Sequence, residues 1–144
     1  MKTIHGAHSF QLSSDLVSLH VTQEGGHLAP VNFTLGDRSV APYALAPWRP
    51  GEVDEELPVL LKNLRGDFFC LPFGPQTEAP PNGETANHQW TAISQSDDSF
   101  ALEMDAADVS GKITKTVSLV PGQTAIYYEH RISGVDGKFN YGTH

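Results

Sequence analysis

The chain has 144 residues, enough for one domain with a real hydrophobic core and too few for two ordinary ones. Its 39% hydrophobic and 18% charged residues are ordinary for a globular protein in water, and 13 glycines with 10 prolines lean toward a turn-rich β architecture. A formal charge of −8 argues against nucleic acid and anionic membrane as partners, because both rely on clustered Lys and Arg.

Met1 to Ser14 alternates polar and apolar residues without the apolar core of a signal peptide, and no run reaches membrane-spanning length. A single cysteine cannot form an internal disulfide and suits a reducing compartment, so the expected location is the cytoplasm. His5 and His8 are expected in an N-terminal tail. In Leu16 to Thr22 the apolar residues fall mostly on alternate positions, with Ser18, His20 and Thr22 facing the other way, as in a half-buried strand. Gly25-Gly26 supplies a turn, and His27 to Leu35 resumes the alternation, so a hairpin is expected. Gly36-Asp37 turns the chain toward Val40 to Leu45 and the extended loop Pro47-Trp48-Arg49-Pro50-Gly51. The acidic run Glu52 to Glu56 reads as a solvated loop. Leu57 to Leu64 is too short for periodicity to separate a strand from a helical turn.

The second half reads as a meander of four strands: Trp90 to Gln95, Phe100 to Ala106, Gly111 to Val120 and Ala125 to Ile132. One face of it carries Phe100, Leu102 and Met104, then Ile113, Lys115, Val117 and Leu119, then Ile126, Tyr128, His130 and Ile132. Twisted antiparallel sheets packed as a sandwich are the simplest way to bury such faces, so the expected fold is an all-β antiparallel β-sandwich forming a single domain over residues 1–144.

The chemistry concentrates in Leu64-Arg65-Gly66-Asp67-Phe68-Phe69-Cys70-Leu71-Pro72-Phe73-Gly74-Pro75 and in Asn82-Gly83-Glu84-Thr85-Ala86-Asn87-His88-Gln89-Trp90. A guanidinium in an apolar run, a Pro-Phe-Gly-Pro break and a tryptophan suit a sugar cleft, where aromatic faces cover the C–H face of a pyranose and a few polar groups orient its hydroxyls. The same residues also read as a buried strand followed by a proline-rich loop.

These stretches resemble the signature of the aldose 1-epimerase, or galactose mutarotase-like, superfamily, nearest to its hexose-6-phosphate mutarotase branch. That branch carries Arg-Gly-Gly, a Cys, Pro-x-Phe-Gly, then His-Gly-Phe-Ala-Arg and a Trp; Arg65, Gly66, Cys70, Phe73, Gly74, Gly83 and Trp90 fall on matching positions. Asn82 stands where the family usually has a histidine, and Ala86 where the phosphate-sugar branch has an arginine. An asparagine can hydrogen-bond a sugar oxygen but cannot carry a proton near neutral pH. The resemblance implies the galactose mutarotase-like supersandwich. It covers nearly all of this chain but only the N-terminal portion of the family domain, whose members run to about twice this length; an incomplete supersandwich is therefore expected.

What the resemblance implies for the site is an acid/base reaction. A histidine protonates the ring oxygen, a glutamate takes the anomeric hydroxyl proton, and the opened sugar recloses as the other anomer. Phe139-Asn140-Tyr141-Gly142-Thr143-His144 resembles the segment that carries the family's catalytic histidine, which would make His144 the acid, though a final residue also reads as a frayed and silent end. The glutamate comes from the part of the family domain this chain does not match. Arg65 and Asn82 would orient the hexose, Phe73 and Trp90 would be cleft wall or core, and His88 would offer a substitute imidazole. Arg65 could equally form a structural salt bridge with Asp67 or Glu84. None of the seven histidines has metal-motif spacing, so neither metal nor cofactor is expected. Two functions follow: a hexose isomerase of the aldose 1-epimerase type, or a carbohydrate-binding β-sandwich that has lost the catalytic pair. Exposed sheet edges would invite a homo-oligomer in either case.

Overall fold

The computed structural model describes residues 1–144 and is all-β apart from one four-residue helix and three short 3₁₀ turns. The first sheet runs in chain order through β1 (Lys2–Ile4), β2 (Ala7–Ser13), β3 (Val17–Thr22), β4 (Leu28–Leu35) and β5 (Arg38–Val40), every neighbour antiparallel. Val17, Leu19 and Val21 turn inward as their spacing requires, and Gly25 and Gly26 make the β3–β4 turn with φ of +74° and +61°. The expected N-terminal tail is instead the β1–β2 hairpin. It turns at His5 and Gly6, and the His5 Nε2 lies 2.9 Å from Ala46 O and 3.0 Å from Trp48 O, which pins the turn to the loop after β5.

The second sheet has the order β10 (Tyr127–Ser133), β9 (Gly111–Ser118), β8 (Ser99–Ala106), β7 (Thr91–Gln95), again antiparallel throughout. Its apolar side, Phe100, Leu102, Met104, Ile113, Val117 and Leu119, meets Phe10, Leu12, Val17, Leu19, Val21 and Val31 of the first sheet in one 18-residue core. Phe10 and Phe100 touch across the layers at 5.8 Å between ring centroids. Each such side chain removed from water stabilises the fold by about 1.5–3 kcal/mol before entropy is counted, so the sandwich-like contact of the two sheets dominates the energetics.

Between the sheets the chain makes the helix α1 (Val59–Lys62), the answer to the ambiguous Leu57 to Leu64, with Leu60 as its buried face. A two-residue ribbon then pairs β6 (Phe69–Cys70) with β11 (Gly142–Thr143). Phe68 and His144 extend it by exchanging backbone bonds of 3.3 and 3.0 Å. Phe69 belongs to the main core, whereas Phe68 and Cys70 join Leu60 and Ala86 in a second, smaller cluster. The ribbon therefore divides two apolar regions. No helix is long and apolar enough to cross a membrane.

Candidate functional site

Arg65-Gly66-Asp67 is stitched to both neighbours. Gly66 N donates to Ala44 O at 2.7 Å, and Leu28 N donates to Asp67 O at 2.7 Å. Gly66 adopts φ +51°, and a Cβ there would lie 1.8 Å from Leu28 O, so the approach of the two backbones requires glycine. Arg65 is 3% exposed. Its Nε donates to Asn63 O at 3.1 Å, its Nη1 to Ile4 O at 3.0 Å and its Nη2 to His5 O at 3.0 Å. The guanidinium thus clamps the β1–β2 turn. The expected salt bridge with Asp67 or Glu84 does not form, because these carbonyls take the donors that an ion pair would use. Burial lowers the Arg65 pKa.

The loop from Pro72 to Trp90 is held in the same manner. Asn82, at φ +65°, donates its N–H to Gly74 O and accepts the Gly74 N–H on Oδ1, both at 2.8 Å. Gly83 lies against Leu71, where a Cβ would approach Leu71 O to 2.0 Å. Asn87 accepts the Leu60 N–H on Oδ1 and donates Nδ2 to Pro81 O and Gly83 O, so a single buried carboxamide joins the loop to α1. Trp90 is fully buried in the core with its Nε1 donating to Thr85 O at 3.0 Å, so it forms no cleft wall. His88 is exposed, its Nδ1 3.5 Å from Glu84 Oε1. Glu84 and Asp108 exchange bonds in turn: Glu84 N–H donates to Asp108 Oδ2 and Asp108 N–H to Glu84 Oε2. Burial raises the Asp108 pKa; the Glu84 amide opposes the shift and the Glu84 carboxylate adds to it.

The β6–β11 ribbon has the opposite character. His144 is exposed and stacks on Phe68, with ring centroids 4.9 Å apart and planes 6° from parallel, while Phe73 lies 6.4 Å away at 20°. Phe73 is 37% exposed, and its carbonyl accepts the Asn140 Nδ2 at 2.9 Å, which straps the approach to β11 onto the Pro72 loop. The buried His27 ring also stacks on Phe68, at 4.5 Å. Its Nδ1 and Nε2 lie 3.1 Å from Asn63 O and 3.0 Å from Ala86 O, and a neutral imidazole can donate to only one of them. Burial pushes the His27 pKa down to about 4 despite those carbonyls, and the Lys115 and Arg65 charges add to the fall.

On the reverse side of the ribbon, Phe69 stacks on His130 at 4.0 Å and faces Tyr141 at 6.3 Å. His130 Nε2 is buried without a partner, and burial, with Lys115 nearby, pushes this imidazole down to about 3. A recess of about 500 Å³ opens here between Phe69, His130, Ile132, Tyr141, Gly142 and Thr143. At its margin Tyr128 Oη donates to Asp67 Oδ2 at 2.7 Å; burial and then this carboxylate raise the tyrosine pKa. Lys115 points into the core, donates to Gly26 O at 2.6 Å and lies 5.9 Å from the Trp90 ring centroid; burial pushes its pKa down to about 8, with the Asp67 charge opposing. Cys70 is held as a thiol, pushed up to about 12 by burial.

The arrangement therefore separates the residues that the sequence grouped. Arg65, Asn82, Asn87 and Trp90 hold the chain to itself, His88 stands apart with Glu84, and only Phe73 and His144 share an exposed surface. None of Arg65, Asn82, His88, Phe73, Trp90 and His144 lines any of the five principal recesses. No group of three His, Cys, Asp or Glu side chains is placed to hold a metal ion. The Asp67, Lys115, Tyr128 and His130 cluster was missed as a unit, although a lysine in the inward series of β9 and a histidine in that of β10 were its visible signals. No family model, curated protein or solved structure matches the chain.

Proposed function

We propose that the chain handles a neutral hexose in the manner of an aldose 1-epimerase, with His144 as the general acid. The observation that carries this reading is the exposed His144 imidazole, which makes no hydrogen bond within the chain and lies against the flat faces of Phe68 and Phe73. A free proton donor beside an aromatic wall is the pairing that sugar chemistry uses: the ring covers the C–H face of a pyranose and the imidazole reaches its ring oxygen. The resemblance around Arg65 to Trp90 supports the sugar class, and Ala86 with the formal charge of −8 favours a neutral sugar over a phosphorylated one. Protonation of the ring oxygen weakens its bond to the anomeric carbon. Loss of the anomeric hydroxyl proton to a base then opens the ring, and rotation before reclosure inverts the anomer.

A second reading, a hexose-binding module without catalysis, is favoured by a specific observation. The groups that would orient the sugar or stand in for an imidazole are committed elsewhere: Arg65 to three carbonyls, the Asn82 carboxamide to Gly74 and His88 to Glu84. Proton NMR of freshly dissolved α-glucose and α-galactose separates the two. Faster anomer equilibration with the protein, lost in His144→Ala, is the outcome for the isomerase. Sugar-induced shifts of the Phe73 and His144 signals without acceleration indicate the binding module, and neither effect at high sugar concentration removes both.

A further inference from the structure

The four edges of the two main sheets are not equally protected. An open edge presents unpaired N–H and C=O groups that can template another strand, and proteins blunt edges by brevity, charge or bulges. The β1 edge is three residues long and carries Lys2, and the β5 edge is three residues long and carries Arg38. The β7 edge is interrupted by a register shift between Ala92 and Ser94. The β10 edge is neither short nor bulged, and its two exposed charges, Glu129 and Arg131, are opposite in sign. It runs seven residues from Tyr127 to Ser133, contains neither Pro nor Gly, and pairs with β9 in unbroken register. None of its backbone groups bonds to anything in the chain except β9.

The charges on this strand select one partner. Tyr127, Glu129, Arg131 and Ser133 lie on its outward face, and Glu129 and Arg131 are exposed, joined only by a 3.3 Å contact with each other. If a second copy of β10 pairs antiparallel about a two-fold axis at His130, Glu129 stands opposite Arg131 of the second copy and Arg131 opposite its Glu129. Slipping the pairing by two residues either way sets Glu129 against Glu129 or Arg131 against Arg131, and directly opposed like charges destabilise a strand pair. On the inward face the same register brings His130 beside His130 and Tyr128 beside Ile132 of the second copy. The imidazoles carry no charge at neutral pH and so do not repel.

We infer that β10 is a self-complementary docking edge, through which two copies of the chain join their second sheets into one eight-stranded sheet. Because the symmetry is two-fold and isologous, the contact closes and does not propagate into a fibre. Tyr128 of the second copy then lies over Ile132, which lines the recess beside Phe69 and Tyr141, so the partner completes one wall of that recess.

Sedimentation velocity across a concentration series tests the assignment. The expected species is twice the 15.6 kDa monomer, weakening as salt is raised because exposed pairs are screened. Glu129→Arg and Arg131→Glu each set like charges opposite one another at both ends of the axis and weaken the dimer by about tenfold or more, while the double swap, which restores both pairs, recovers it. Both positions are solvent-facing, so circular dichroism serves as the control for an unchanged fold. A monomer at about 100 µM in low salt overturns the proposal, since an isologous pair of this kind associates by mass action. A dimer indifferent to either reversal also overturns it, as does one that the double swap fails to restore.

Discussion

The two regions that carried the resemblance to mutarotases are built on opposite terms. At Arg65 and in Asn82 to Asn87 the polar groups are spent inward: the guanidinium on Asn63, Ile4 and His5 carbonyls, the Asn82 carboxamide on Gly74, the Asn87 carboxamide on Leu60, Pro81 and Gly83. In the β6–β11 ribbon the His144 imidazole is left free against Phe68 and Phe73. A motif can thus owe its residue types to backbone closure in one place and to surface chemistry in another. Substitution should tell them apart by what is lost: the first region should fail by unfolding, the second without it.

The largest effect is expected at Gly66. A methyl group there has nowhere to go, being 1.8 Å from Leu28 O at a positive φ, so Gly66→Ala should cost about 4 kcal/mol or more in urea denaturation. A loss below about 1 kcal/mol would show that the two backbones do not approach so closely.

Arg65 comes next. Arg65→Met keeps the apolar stem but leaves three carbonyls without their donor, a loss of about 3 kcal/mol from unsatisfied acceptors, whereas His144→Ala should stay within about 0.5 kcal/mol of the parent. Equal losses in the two variants would erase the distinction between the regions.

Acid gives a third contrast. His27 is depressed from 6.5 to about 4, so the folded state prefers the neutral ring. Its contribution is complete above the unfolded value, falls as pH drops from 6.5 toward 4, and is flat below; the total is about 3 kcal/mol. His27→Gln should flatten that part of a stability–pH curve, and His144→Ala should leave it alone. An unchanged acid limb in His27→Gln would assign the loss to other groups.

The smallest expected effect is at Asp108, whose raised pKa has the reverse sense. A carboxyl with a raised folded pKa favours folding in acid and loses that contribution as pH rises through its folded value; burial and the Glu84 carboxylate both act against its ionised form. Asp108→Asn keeps the acceptor for the Glu84 N–H and removes the repulsion. The gain in thermal stability at neutral pH should be a few tenths of a kcal/mol, since a half-exposed charge is screened; a loss would mean that the ionised carboxylate is needed there.

Much of this architecture was legible in the residues. Val17 to Thr22, Ser99 to Ala106 and Gly111 to Ser118 each bury one face, and a period of two is unmistakable when every second side chain is apolar. The β1–β2 hairpin was not legible, because the polar Ser9 is buried next to the buried Phe10, so burial in Ala7 to Ser13 does not follow the polar and apolar residues of the sequence. The helix at Val59 to Lys62 spans four residues, about one turn, which is too little to declare a period. For the candidate site the residue types were readable and their partners were not. Arg65 alone cannot disclose that carbonyls at Ile4 and His5, sixty positions away in the chain, will claim its donors. Lys115 was set correctly among inward-facing residues, yet only the fold reveals that Gly26 O receives its ammonium.

The thiol of Cys70, fully buried in the small cluster with Leu60, Phe68 and Ala86 and held protonated to about 12, is mute toward alkylating reagents while the ribbon stays closed. Because it is the sole sulfhydryl in the chain, any labelling of the native protein measures how often the strand pair at Cys70 and Gly142 comes apart, which makes this one atom an internal clock for fraying beside His144.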